Sequence, residues 1–171
     1  MIFLQPITPD TAFIFKDARL RALRDTPLAF SSTYAKEAQL SDEEWMQRSA
    51  RWNGDHAVGY LAFDDSDHGS ACGLVACYAE QESVPHGHVI SMWVDPAFRR
   101  AGVGRWLIDA VGAWAGTRGL HELRLMVTSV NQGAIEFYER IGFRMSGAIR
   151  PYPNDPAIVE YEMLLPLNGQ R

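Results

Sequence analysis

Val94-Asp95-Pro96-Ala97-Phe98-Arg99-Arg100-Ala101-Gly102-Val103-Gly104-Arg105-Trp106-Leu107 places a strand end, a glycine-punctuated turn and a helix start in immediate succession. Gly102 and Gly104 lack a β-carbon, so the backbone there reaches dihedrals barred to other residues and a ligand can approach its N–H groups closely. From Gly104 onward Trp106, Leu107, Ala110, Val111 and Trp114 recur at helical spacing, which predicts an amphipathic helix whose first-turn N–H groups are open. Such an end attracts anions, and Arg99, Arg100 and Arg105 add full positive charges around it. The stretch reads as a phosphate cradle.

Two common phosphate-binding turns fail against these residues. A P-loop needs Gly-Lys-Ser/Thr after its spacer, and no Lys-Ser or Lys-Thr stands here. A dinucleotide fingerprint needs a small third residue for close helix packing, and Leu107 occupies that position. What remains is Arg-x-x-Gly-x-Gly after a Val-Asp-Pro strand end.

The 171 residues suit one domain, spanning 1–171, with 47% apolar and 22% charged residues as in ordinary globular chains. A net charge of −5 argues against non-specific nucleic-acid binding, which needs a basic footprint. No apolar run approaches membrane-spanning length, and Met1 to Pro6 is too short for a signal-peptide core, so no membrane partner and a cytoplasmic location are expected. Cys72 and Cys77, read within one strand, would point to opposite faces and serve as small buried hydrophobes. Asp67-His68 and His86-Gly87-His88 do not supply three or four ligands in zinc geometry, so no metal is expected. A G-x-S-x-G nucleophile elbow is absent.

Along the chain the pattern predicts a short strand at Ile2 to Pro6 and a helix to about Asp25 ended by Pro27. A turn at Leu28 to Thr33 and a helical piece from Tyr34 to Leu40 follow. Ser41-Asp42-Glu43-Glu44 forms a capping box opening a helix toward Trp52. Strands are expected at His56 to Phe63, Ser70 to Glu80 and His88 to Val94, with a loop from Gln81 to Gly87. After the cradle helix come a strand at Leu123 to Val127, a short helix capped by Asn131, and strands at Arg144 to Ile149 and Ile158 to Leu165 around a Pro151 to Pro156 loop. These sum to an α+β domain with a mixed, mainly antiparallel central sheet of about seven strands flanked by about four helices.

Downstream of the cradle stands Asn131-x-x-Ala134-x-x-Phe137-Tyr138-x-x-x-Gly142-Phe143. With both motifs in order, the chain resembles the GNAT superfamily of acyl-CoA-dependent N-acyltransferases over nearly its whole length. Arg21-Ala22-Leu23, Pro27-Leu28-Ala29-Phe30 and Trp45 look like a set of bacterial members whose acceptors vary. The resemblance implies acetyl-CoA as co-substrate and direct transfer to a primary amine of a small molecule or protein, in a pocket walled by Phe30 and Tyr34. It implies that the backbone of Met92, Trp93 and Val94 pairs with the pantetheine arm as an added strand. Arg99, Arg100, Ala101, Gly102, Val103 and Gly104 would cradle the pyrophosphate, and Asn131 would contact the cofactor arm. A backbone N–H, at Val94, would stabilise the oxyanion.

The same resemblance sets Tyr138 beside the sulfur. A phenol of pKa about 10 can return a proton to a thiolate whose acid has a pKa of about 8.5. From the residues alone, Asn131 also reads as a helix cap and Tyr138 as a core side chain. The amine must shed a proton before attack, which makes a base useful. Where the best-known members carry a glutamate six residues before the valine matching Val94, this chain has His88, whose imidazole can accept a proton directly or through water. His88 also reads as a plain strand-end residue, and Glu80 and Glu82 are rival bases. The alternative function is a catalytically inactive acyl-CoA-binding sensor. Homodimers are common among such enzymes, and a homodimer is carried as one expected state.

Overall fold

The computed structural model describes residues 1–66 and 69–168. Its elements in chain order are β1 (Ile2–Pro6), α1 (Ala12–Asp25), α2 (Tyr34–Glu37), α3 (Asp42–Ala50), β2 (Ala57–Asp64), β3 (Gly73–Glu80), β4 (His86–Val94), α4 (Val103–Thr117), β5 (Glu122–Thr128), α5 (Gln132–Arg140), β6 (Arg144–Tyr152) and β7 (Asp155–Pro166). One seven-stranded sheet runs in the order β1-β2-β3-β4-β5-β7-β6, antiparallel throughout except for the parallel pair β4 and β5. This is the α+β arrangement expected, with a fifth helix because α2 is a single separate turn.

Two cores sandwich the sheet. Strand alternation sends Val75, Cys77, Leu123, Leu125 and Val127 to one face, where they meet Val103, Leu107, Ile108, Val111 and Trp114 of α4 and Ile135 and Tyr138 of α5. Leu61, Phe63, Leu74 and Trp93 face the other way onto Phe15, Ala18, Ala22 and Leu23 of α1 and Trp45 of α3. The capping box behaves as read: Glu44 N–H donates to Ser41 Oγ at 3.2 Å and Ser41 N–H donates to Glu44 Oε2 at 2.7 Å. The helix closes at Ala50, two residues short of Trp52.

Four sequence expectations change. The β3–β4 hairpin zips as far as the Glu80–His86 pair, so the loop ends before His86 and the strand starts there instead of at His88. The loop expected at Pro151 to Pro156 is a tight hairpin whose turn is Pro153-Asn154; Pro151 lies on the outermost strand, where no ladder partner misses its N–H, and Pro156 near the start of β7. Cys72 precedes β3, and both cysteines border the same core cluster as free, buried thiols; burial pushes the Cys77 thiol up to about 12, which removes its thiolate at neutral pH. Trp106 is solvent-exposed because α4 begins at Val103, and its buried stripe passes through 103, 107, 108, 111 and 114. Asp67 and His68 lie outside the described residues.

Helix α4 approaches α5 so closely that a β-carbon on Gly104 would stand 2.8 Å from Phe137 Cζ and 3.2 Å from Met92 Cε. Gly104→Val overpacks this contact and is expected to cost about 1–3 kcal/mol, read as a lower thermal midpoint. An unchanged midpoint would refute the tight α4–α5 contact.

Candidate active site

Strands β4 and β5 are paired only at His86–Glu122, Gly87–Leu123 and His88–Arg124. Beyond His88 they part. The cause lies on β4, where Leu74 pairs with Trp93 but Ala76 pairs with Ile90, leaving Ser91 and Met92 opposite Val75 as a bulge. Ser91 takes φ 57°, a left-handed conformation uncommon outside glycine. The resulting cleft encloses about 850 Å³, counting solvent at its mouth. His88, Ile90, Ser91 and Met92 line one side, Met126 and Thr128 the other, and Asn131 and Tyr138 of the α5 segment lie beside them. Past His88, the edge of β4 facing the cleft is free of the β5 ladder and open to an extended ligand arm.

The cradle stands at the end of the same strand. Gly102 is the residue before α4, at φ 83°, and nothing lies within 4 Å of where its β-carbon would be, so a ligand can come against the backbone there. Arg100 is left-handed as well, at φ 67°. The first helical bond runs from Trp106 N–H to the Gly102 carbonyl at 3.1 Å. The N–H groups of Val103, Gly104 and Arg105 are therefore the open donors of the first turn. Ala101 is exposed on the turn. The two glycines thus differ in purpose: Gly102 supplies the turn and the access, and Gly104 the room for Phe137.

Arg99 does not point freely into solvent. Its Nε donates to the Val94 carbonyl at 3.0 Å and its terminal nitrogen bonds Asp25 at the end of α1. Asp25 also accepts from Trp93 Nε1 at 2.9 Å, so one carboxylate ties the cradle turn, the strand and the first helix together. Sequence reading saw Asp25 only as a helix end. Trp93 turns its side chain into the α1–α3 core, and Val94 is absent from the cleft lining, so Ile90 to Met92 carry the backbone that faces the cleft.

Burial pulls the His88 imidazole below its ordinary 6.5; His86 and Arg150 add to this, and the Glu80 and Glu162 carboxylates oppose it. Its ring lies 5.0 Å from that of Tyr78. Such a histidine is neutral at pH 7 and free to accept a proton. Tyr138 packs between Phe137 and Phe143 at 5.2 and 5.4 Å, and burial pushes its phenol well above the ordinary range, so the hydroxyl keeps its proton. Asn131 accepts from Ala134 N–H at 3.2 Å, capping α5, and also lines the cleft. Tyr34 is not part of the cleft; it lies under Arg24, whose guanidinium carbon is 4.1 Å from the ring centroid.

Three charged residues here, Arg19, Glu37 and Arg48, gave no sequence signal. Arg19 and Glu37 form a buried two-point pair at 3.1 and 2.9 Å, with Arg48 3.2 Å from the same carboxylate. Burial acts to raise the Glu37 carboxyl, and the two guanidiniums outweigh it and hold the group below its usual value. Arg19 also donates to Ser91 Oγ at 3.3 Å and so grips the bulge. The Glu80–His86 register brings Glu80, Glu82 and His86 together with ligand atoms within 4.8 Å, a set that could hold a cation. Glu80 Oε2 lies 3.7 Å from His86 Nε2, and Glu82 is ion-paired to Arg124 at 3.7 Å. Among the described residues no helix is long and apolar enough to cross a membrane.

Comparison with known proteins places this geometry in a lineage. A family model described as the acetyltransferase (GNAT) family matches residues 20–143. An uncharacterised N-acetyltransferase of Methanocaldococcus jannaschii is 38% identical over 88 residues, covering 48% of this chain and 38% of that protein. The chain thus spans about two fifths of that relative's length. Streptothricin acetyltransferase of Escherichia coli is 31% identical over 121 residues, covering 65% of this chain and 68% of that one. A GNAT acetyltransferase structure from Streptococcus pneumoniae superposes with a TM-score of 0.79 at 21% identity over 98% of this chain and 100% of its own, a likeness of fold.

The depressed His88 basicity is directly measurable. An NMR pH titration of the folded protein should place the His88 midpoint below 6.5, and a midpoint above that value would contradict the burial described.

Proposed function

We propose, given that the chain belongs to the GNAT acetyltransferase family, that it moves an acetyl group from acetyl-CoA directly to a primary amine. The observation that carries this reading is the parting of β4 and β5, which gathers His88, the Ser91–Met92 bulge and Tyr138 around one cleft, with the α4 cradle following the end of the same strand β4. Acetyl-CoA supplies an activated acyl thioester. The open first turn of α4 and the backbone from Arg99 to Gly104 hold the pyrophosphate, and the unpaired edge of β4 holds the pantetheine arm beside Asn131.

His88, neutral at working pH, takes the proton that the attacking amine gives up, directly or through water. A backbone N–H of the Ser91–Met92 bulge faces the carbonyl oxygen as negative charge develops there; these residues replace Val94 in that role because they line the cleft. Tyr138, protonated because it is buried, returns a proton to the departing sulfur. Base and acid are therefore different groups on different elements, each already in the protonation state that its task requires. The acid limb of the rate profile lies below pH 6.5, since the rate falls only once the imidazole is protonated.

Tyr138→Phe keeps the ring between Phe137 and Phe143 and removes only the hydroxyl. Acetyl-CoA affinity by calorimetry should stay within a few fold, while kcat for thiol release falls by about 10² to 10⁴. Turnover at an undiminished rate in the variant would dismiss the role of Tyr138. A wild type that binds acetyl-CoA and releases no thiol with any amine would be the sensor instead.

A further inference from the structure

The reaction scheme leaves one end of the cleft unused. Leu123, Leu125 and Val127 of β5 point into the core under α4 and α5, so Thr128 projects to the opposite face. There its cross-strand neighbour is Glu160 of β7, and the neighbour of Glu160 is Arg150 of β6. Glu160 is 7% exposed and accepts through Oε2 from Arg150 Nε at 2.7 Å. Thr128 is 2% exposed, and its hydroxyl has no hydrogen-bond partner among the described residues. Both residues line the cleft. A buried hydroxyl left unpaired is a cost that folding alone does not recover, and a bound donor would recover it.

The opposite wall is tied down. Tyr152 Oη donates to the Phe30 carbonyl at 2.5 Å, and Asn154 Nδ2 reaches the same carbonyl at 3.4 Å and Tyr152 Oη at 3.2 Å. The β6–β7 turn is thereby latched onto the segment carrying Ala29, Phe30 and Ser31, which lines the cleft with Arg150 and Glu160. The acceptor end is bounded on both sides by chain that is joined to itself.

We propose that Glu160 and Thr128 form the subsite for the acceptor's amine, and that the acceptor is a compact primary amine entering end-on beneath the latch, not a polypeptide running through. This rests on the acetyl-transfer reading. The Glu160 carboxylate and the Thr128 hydroxyl stand on paired positions of β7 and β5, and each offers an acceptor to a ligand in the cleft. An alkylammonium offers three donors from one atom, whereas an alcohol or thiol offers one. The ammonium docks on this pair and gives one proton to His88, directly or through water, before the neutral amine attacks.

The test measures thiol release at saturating acetyl-CoA with n-propylamine, ethanolamine, glycinamide and an alanine-led decapeptide, for wild type and for the isosteric Thr128→Val. Wild type should turn over the small amines at least about tenfold more efficiently than the peptide. Thr128→Val should raise the KM for the small amines by about ten- to a hundredfold, leave the KM for acetyl-CoA within about twofold, and leave the thermal midpoint unchanged or higher because an unpartnered hydroxyl has gone. A wild type that prefers the peptide, a variant with unaltered amine KM, or a variant with a lowered midpoint each overturns the subsite. Failure of the underlying reading looks different: no amine, small or peptidic, releases thiol above the buffer rate, and the subsite falls with it.

Discussion

Strands β4 and β5 share three residue pairs and then separate, and the rest of the molecule is arranged so that this separation is tolerable. Parting two central strands strips backbone groups of their ladder partners, which a folded chain accepts only where something else will satisfy them. The gap is created by a bulge whose residue Ser91 sits in a left-handed conformation, and strain of that kind persists only when its surroundings over-determine it. Here the surroundings are explicit. Arg19 reaches Ser91 from α1, is itself held at two points by Glu37, and Glu37 answers to Arg48 as well.

That chain of ions is costly by itself. Burying an Arg–carboxylate pair sacrifices hydration that the mutual attraction barely restores, so such pairs are weak evidence for stability. Its worth is geometric: the planar fork of Arg19 fixes one direction, and that direction ends on the bulge. Asp25 performs the matching task at the far end of β4, joining Trp93 and Arg99. Between them, two residues of α1 fix the strand on either side of the gap.

The sequence was most legible where local rules act without help. The capping box, the cradle glycines and the α5 cap all announce themselves within four residues, because each is satisfied by its immediate neighbours. Arg99 was readable as a member of the cradle, and its anchor Asp25 was not, since 74 residues separate them and no short pattern encodes the pairing. Thr128, Glu160 and Arg150 escaped for the same reason: they meet only through cross-strand register, which depends on which strands become neighbours. Prolines misled in the one place where an edge made them harmless. Tyr34 misled because an aromatic beside a predicted pocket can be taken up by an arginine on its other side.

The outermost strands bear on how copies of this chain meet. β1 and β6 are the two borders of the sheet, and each carries a proline, Pro6 on one and Pro151 on the other. β6 in addition loses register between Met145 and Ile149. A border missing amide donors and broken in its spacing is a poor template for a foreign strand, which is how natural sheets resist growing into fibrils. Crowded copies of this protein can therefore touch through side chains, while their backbones have little to offer one another.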